Sequence, residues 1–290
     1  MFIPYKVDVP MQRWPLANFA LILGTSAISI YFFATGMEDN PAFDYFLLQP
    51  DQFKFTQLVG SALVHADIIH LLGNMLFLWT FGNAVNAKMG HLGYLGLYFG
   101  TAIFASIIWC FFGPHASILG IALPMRASAL GASGAIMGVI GAFLVLYPRN
   151  DVSIGYFFLL RLGTLEASAY WVIGTYIVLD LWGMLQAAQG VGYLAHVAGT
   201  AFGFAATFGA VYWGFFAPDP YEENLLQLWS VRPRGDRAVA QKQVARYLIE
   251  ARDPASGFRT QLKVVAQSQL EARNQAVKEG LAVDRITQIP

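Results

Sequence analysis

Long apolar runs dominate the first 216 positions of the chain. A helix that spans a membrane needs roughly 20 mostly apolar residues. Six runs reach that length, and we predict a helix in each: approximately Leu16–Thr35, Ile68–Asn86, Leu92–Phe112, Ser128–Tyr147, Ser168–Ala187 and Gly192–Phe216. No obvious small-residue cleavage site follows the first run and further runs come after it, so we interpret it as an uncleaved anchor and not as a signal peptide.

The pattern changes after position 216. We interpret "APDPYEE" as a linker, and "DRAVAQKQVARYLIEARD" and "SGFRTQLKVVAQSQLEARNQAVKEGL" as amphipathic helices, because apolar residues such as Val244, Leu248 and Ile249 recur there at helical spacing. The predicted fold is therefore an all-α membrane protein. It has a cytosolic N-terminus at 1–15, a six-helix membrane domain at 16–216 and a soluble helical C-terminal tail at 217–290.

Composition agrees with a membrane body. Hydrophobic residues make up 56% of the chain and charged residues only 12%, whereas a soluble domain has about 25% charged residues. The 18 basic and 18 acidic residues cancel, so charge gives no indication of nucleic-acid binding. The single cysteine, Cys110, excludes an intramolecular disulfide framework and a cysteine zinc site.

Basic residues near the helix ends predict the orientation in the membrane. One side holds the basic residues of the tail together with Lys6, Arg13, Lys88, Arg149 and Arg161, and the other side holds only Lys54 and Arg126. We therefore predict that both termini are cytoplasmic. The size of the chain and the absence of a transit peptide favour a multi-pass protein of a bacterial inner membrane.

Four polar side chains lie in the predicted membrane helices. Polar groups are costly there and each raises a functional hypothesis. His70 and Asn74 share a face of the second helix because they are four residues apart; Ser133 lies in "GASGA" on the fourth helix and His196 in "AHVAG" on the sixth. Since the even-numbered helices all run inward, these residues fall within roughly 10 Å of the outer surface.

The chemistry of these groups suggests nucleophilic catalysis. Glycines on the fourth helix, and Gly199 and Gly203 on the sixth, would let the two helices approach closely. His196 could then accept the proton of Ser133, while Asn74, His70 and the Ser133 backbone N–H could donate to an oxyanion. No acidic residue lies obviously beside His196, so the sequence predicts a Ser–His dyad, and we interpret Asp180 as a structural acid of the fifth helix.

These segments resemble the rhomboid intramembrane serine proteases. The resemblance covers roughly Gln57 to Phe216 and rests on "GASGA", "AHVAG" and "HADIIHLLGNMLFLWTFGN" in that order. It implies hydrolysis of peptide bonds in or near the transmembrane segments of membrane-protein substrates in the lipid bilayer, without a metal or cofactor. It also implies Ser133 as nucleophile, His196 as base, His70 and Asn74 at the oxyanion, an outer loop partly in the membrane, and the fifth helix as a lateral gate.

The chain departs from the family's pattern at three places. Many members have an acidic residue where this chain has Asn86, and many have Trp-Arg where it has Thr56-Gln57. Some have an aromatic residue under the catalytic histidine where it has Met137. The resemblance therefore implies different anchoring for the outer loop and a different support for the His196 ring.

Two other classes of function are alternatives to a protease. A catalytically inactive rhomboid-like protein would bind membrane clients without cutting them, and it usually lacks the serine or the histidine. A small transporter would have broken helices near the membrane midplane and repeated halves. His65 and His70 are five residues apart and do not form the HExxH pattern of a zinc protease.

Overall fold

The structure is a computed structural model that describes residues 2–11, 13–37, 39–113, 117–118, 121–122, 128–158, 161–186, 191–216, 223–231, 245–254, 257–266 and 269–289. The chain divides into two compact units. The first comprises Met1–Tyr212 with Glu222–Arg232, and the second comprises Trp213–Tyr221 with Pro233–Pro290. The domain boundaries expected from the sequence remain predictions.

Helices occupy all six predicted runs of the first unit. They are α1 (Leu16–Thr35), α2 (Ile68–Phe77), α3 (Asn83–Phe112), α4 (Ser133–Leu146), α5 (Ala169–Leu185) and α6 (Tyr193–Tyr212). A π-helical turn, Leu78–Gly82, joins α2 to α3. Short helical turns at Pro41–Tyr45, Pro50–Gln52, Gln57–Gly60 and Ser61–Leu63 form the loop before α2, and Leu225–Leu228 forms another turn.

The stretch from Ile68 to Phe112 folds back on itself at Gly90. Gly90 has φ +77°, a left-handed conformation that ends the first helix. Beyond it, the Tyr98 hydroxyl donates to the Ala62 carbonyl (3.4 Å) and the Ser106 hydroxyl to the Leu58 carbonyl (3.3 Å). Residues after the kink therefore run back past the start of α2, so this stretch holds two antiparallel helices.

Within the described part of the chain, three helical stretches are long and apolar enough to cross a membrane, namely Leu16–Thr35, Ile68–Phe112 and Tyr193–Tyr212. The apolar helices α4 and α5 are shorter. The count of six spans is therefore not established by length. Helix α4 is nonetheless the centre of the bundle, because eleven of its fourteen residues are buried.

The first unit also contains a sheet, so the fold is mostly helical and not all-α as predicted. Strand β1 (Phe2–Val7) pairs antiparallel with β2 (Asp151–Phe158), which pairs antiparallel with β3 (Arg161–Ser168). The hairpin of β2 and β3 fills the connection between α4 and α5. Two-residue strands, Ser117–Ile118 and Ile121–Ala122, pair in the segment between α3 and α4.

The second unit corrects the predicted helical tail. It contains β4 (Ala245–Arg252), β5 (Arg259–Ala266), α7 (Gln269–Lys278) and β6 (Ala282–Ile289), with β4 between β5 and β6 in an antiparallel sheet. Tyr247, Ile249 and Ala251 are buried while their neighbours are not, which is the two-residue period of a strand. Helix α7 lies entirely within the second predicted tail helix, whose earlier part is strand β5. Residues 236–244 of the first predicted tail helix lie outside the described residues.

Candidate active site

Ser133 is the first residue of α4, and the turn before it depends on glycine. Gly131 has φ +118°, and a Cβ added there would lie 2.7 Å from Cε1 of the His70 ring. An L-residue is disfavoured in this conformation. The Gly131 N–H donates to the Ser61 carbonyl (2.8 Å). The "GAS" sequence therefore places Ser133 at the start of α4, and the turn that precedes Ser133 packs against the His70 ring.

His65 also contacts the turn before Ser133. Its Nε2 accepts a hydrogen bond from the Ala132 N–H (3.4 Å), and its Nδ1 lies 3.1 Å from the Ser29 hydroxyl. The side chain is fully buried, and this burial lowers the pKa of His65 to about 3. His65 is thus neutral at physiological pH, as an imidazole that accepts a backbone N–H must be.

The start of α4 presents free backbone donors. The first hydrogen bond of the helix joins the Ile136 N–H to the Ala132 carbonyl (2.9 Å). The N–H groups of Ser133, Gly134 and Ala135 precede that bond and have no partner among the described residues. Such donors attract negative charge.

Helices α4 and α6 approach each other closely beside Ser133 and His196. A Cβ added at Gly134 would lie 3.7 Å from both the Cβ and the carbonyl oxygen of Ala195, and one added at Gly141 would lie 3.0 Å from the Phe204 nitrogen. Ser133 directly precedes Gly134 in the chain, and His196 directly follows Ala195. Among the contacts of the described residues there is no direct hydrogen bond between Ser133 and His196, and such bonds in ligand-free enzymes are often long.

His70 and Asn74 lie on the face of α2 that approaches this turn. The His70 ring contacts Gly131 and meets His65 edge to face, with 5.0 Å between ring centroids. Asp67 caps α2 by accepting the His70 N–H (2.8 Å). The Asn74 amide donates one hydrogen to the His70 carbonyl (2.9 Å), which leaves its second hydrogen for another acceptor.

An acidic side chain that sequence reasoning set aside lies beside His196. Asp180 Oδ1 is 3.1 Å from His196 Nδ1, and the two side chains are only 15% and 13% exposed. The Tyr193 ring stands edge-on to the His196 ring, with 6.3 Å between centroids. Sequence spacing does not show that residues on two different helices are in contact. The only sequence signal for Asp180 and His196 is that each is a polar residue within an apolar run.

Two departures from the family pattern have local structural explanations. The buried Gln57 amide donates to the Asp44 carbonyl (2.7 Å) and accepts from the N–H groups of Lys54 (3.1 Å) and Gln49 (3.3 Å), so it anchors the loop before α2. The Asn86 amide oxygen accepts the Asn18 N–H (3.2 Å) at the start of α1. Neutral side chains therefore serve as anchors at both positions.

Comparison with known proteins finds a matching family profile and several similar curated proteins. The Rhomboid domain profile matches residues 52–213. The chain is 37% identical over 109 residues to "Rhomboid protein 1, mitochondrial" of Saccharomyces cerevisiae, covering 37% of this chain and 30% of the relative. It is 27% identical over 160 residues to "Presenilin-associated rhomboid-like protein A, mitochondrial" of Danio rerio, covering 55% and 39%.

The match to "Presenilin-associated rhomboid-like protein, mitochondrial" of Homo sapiens is 25% over 198 residues and covers 67% of this chain and 47% of the relative. The chain thus spans less than half the length of the curated relatives it matches. All three are named as mitochondrial proteins. The prediction of a bacterial inner membrane, with termini in a bacterial cytoplasm, is therefore wrong.

Proposed function

Because this chain belongs to the rhomboid family, we propose that it is an intramembrane serine endopeptidase. It hydrolyses peptide bonds in or near the transmembrane segments of membrane-protein substrates. The single observation that carries the proposal is the close approach of α4 and α6. It brings Gly134, next to Ser133, against Ala195, next to His196. In this proposal six helices span the bilayer, and the membrane is mitochondrial, as the names of the relatives suggest.

The reaction begins at the serine hydroxyl. His196 Nε2 accepts the proton of Ser133 Oγ while Oγ bonds to the scissile carbonyl carbon. The carbonyl oxygen becomes an oxyanion, the C–N bond then breaks, and the imidazolium returns the proton to the departing amine. A water molecule, deprotonated by His196 in the same way, then bonds to the acyl carbon. The bond from that carbon to Oγ breaks, Oγ takes its proton back from the imidazolium, and the carboxylic acid product leaves.

The oxyanion has several donors within the proposed site. The free Ser133 N–H at the start of α4 is one; the second hydrogen of the Asn74 amide and a ring N–H of His70 are the others. Preorganised donors of this kind each contribute about 100- to 1,000-fold to the rate. Neutral His65 behind the turn supports this arrangement, because a fixed Ala132 N–H keeps the adjacent Ser133 N–H in place.

Substrate enters beside α5 in this proposal. Only Ala169, Val172, Ile173 and Gly183 of α5 are buried, while large side chains such as Trp171 and Trp182 are exposed. A helix with so little packing can move at small cost. Its exposed apolar face suits contact with lipid or with a substrate helix.

Purified protein in liposomes tests the function. We expect the wild type to react with a fluorophosphonate and to cleave a model transmembrane substrate, and Ser133→Ala and His196→Ala to lose both reactions while remaining folded. Ser106→Ala is the matched control, because it removes a serine hydroxyl from another apolar helix, and it should keep both. A folded wild type that neither reacts nor cleaves would refute the protease and favour a client-binding protein.

A further inference from the structure

The bond between Asp180 and His196 joins two different helices. Asp180 lies near the end of α5 and His196 near the start of α6, sixteen residues apart in the chain, with Oδ1 3.1 Å from Nδ1. Both side chains are mostly buried. An acidic group within an apolar helix is costly unless it has a partner, and His196 is the partner that Asp180 has here.

This contact decides which ring nitrogen carries the proton. An ionised carboxylate can only accept hydrogen bonds, so beside an ionised Asp180 the proton of the neutral His196 ring lies on Nδ1 and is donated to Asp180 Oδ1. Nε2 is then the nitrogen with a free lone pair. A general base needs that lone pair, and in the neutral ring only one of the two nitrogens has it.

Besides Asp180, the surroundings of the His196 ring do little to orient the ring or to select its tautomer. Position 137, one turn after Ser133, holds a methionine. Among the described residues, the ring that contacts His196 is that of Tyr193, which stands edge-on with 6.3 Å between centroids. An edge contact at that separation limits tilting of the imidazole only weakly and does not select a tautomer. The hydrogen bond to Asp180 does both.

We propose that Asp180 is a positioning residue that fixes the tautomer and orientation of His196, so that Ser133, His196 and Asp180 act as a triad and not as a dyad. The inference rests on the proposed protease function for its catalytic consequence. When His196 takes the Ser133 proton at Nε2, Asp180 stays unprotonated and stabilises the imidazolium through Nδ1–H. No proton passes to Asp180.

Kinetics in liposomes test the catalytic consequence. We expect Asp180→Asn to lower kcat by about 100-fold or more with KM unchanged, because the amide can stabilise the wrong tautomer. Asp180→Glu keeps the acceptor and should recover part of the lost rate. Asp51→Asn, the same change at an exposed carboxyl of the loop before α2, is the matched control and should keep wild-type kinetics. A kcat for Asp180→Asn within about 3-fold of wild type would overturn the proposal.

Nitrogen-15 NMR of histidine-labelled protein tests the orientation without activity. The His196 signals are assigned by their loss in His196→Ala. At a pH where the ring is neutral, the wild type should carry its proton on Nδ1, and Asp180→Asn should lose that preference. A wild-type proton on Nε2 would overturn the proposal, even if the enzyme cleaves. If the wild type carries the proton on Nδ1 but does not cleave the substrate, the protease function would be refuted and the role of Asp180 in orienting His196 would stand.

Discussion

Replacing Gly199 by alanine should separate the two catalytic helices. A Cβ at Gly199 would overlap the carbonyl oxygen of Gly134, the residue after Ser133. Restoring ordinary van der Waals contact requires α4 and α6 to move apart by about 1 Å. The hydrogen bond of about 2.8 Å between Ser133 and His196 that the proposed mechanism requires in the substrate complex would then be stretched beyond bonding distance. A misplacement of that size costs about 100-fold in rate, and overpacking costs about 1–3 kcal/mol of stability.

Two matched variants separate this geometric effect from general destabilisation. Gly203→Ala makes the same clash one turn further along α6, against the Gly138 carbonyl, and Gly96→Ala on α3 meets nothing within 4 Å. We expect both α6 variants to lower the thermal midpoint, Gly199→Ala to lower kcat the most, and Gly96→Ala to match the wild type. Substrate cleavage in liposomes and thermal unfolding in detergent measure the two quantities. Equal kcat losses at positions 199 and 203, or none at 199, would refute the reasoning.

Four further changes have defined outcomes. Gly131→Ala should abolish cleavage, measured with the model substrate, because a Cβ there meets the His70 ring and the residue must keep a positive φ; retained turnover would contradict this. Gln57→Ala should lower the free energy of unfolding in a denaturant titration by about 1–3 kcal/mol, because it leaves several partly buried backbone groups without their partner; an unchanged midpoint would show that water replaces the amide. The pKa of His65 is lowered to about 3 in the folded state, so its contribution to stability is present above the unfolded pKa of about 6.5 and is lost as pH falls toward 3, by up to about 4 kcal/mol. His65→Asn should therefore flatten that part of the plot of thermal midpoint against pH. An equally steep plot would show that His65 is not the cause of the pH dependence. Asn74→Ala should lower kcat without abolishing it, and unchanged turnover would remove Asn74 from the oxyanion site.

The helices of the first unit were predictable because length and apolar content determine them. The predicted bounds of the first helix, Leu16 and Thr35, agree with α1. The tail was mistaken because Leu248 and Ile249 were assigned to one helical face, although the burial of Tyr247, Ile249 and Ala251 follows a two-residue period. Adjacent apolar residues satisfy both patterns over a short window, and tertiary packing against α7 decides between them.

The site was predictable only in part. Depth along the helices indicated that Ser133, His196, His70 and Asn74 share one end of the bundle, but the roles of these residues remain proposals. The contact of Asp180 with His196 depends on the rotation of α5 about its axis, which sequence spacing alone does not determine. The same holds for Gln57, whose four hydrogen-bonding partners, Asp44, Gln49, Gln52 and Lys54, are spread along one loop.

The order of the first sheet has a consequence for the N-terminal residues. Strand β2 is the central strand because β1 covers one of its sides and β3 the other. Proteolytic removal of Phe2–Val7 would turn β2 into an edge strand with a row of unpaired N–H and C=O groups. Such an edge is a template for pairing with another chain. The first few residues thus shield the connection between α4 and α5 from strand exchange with neighbouring molecules.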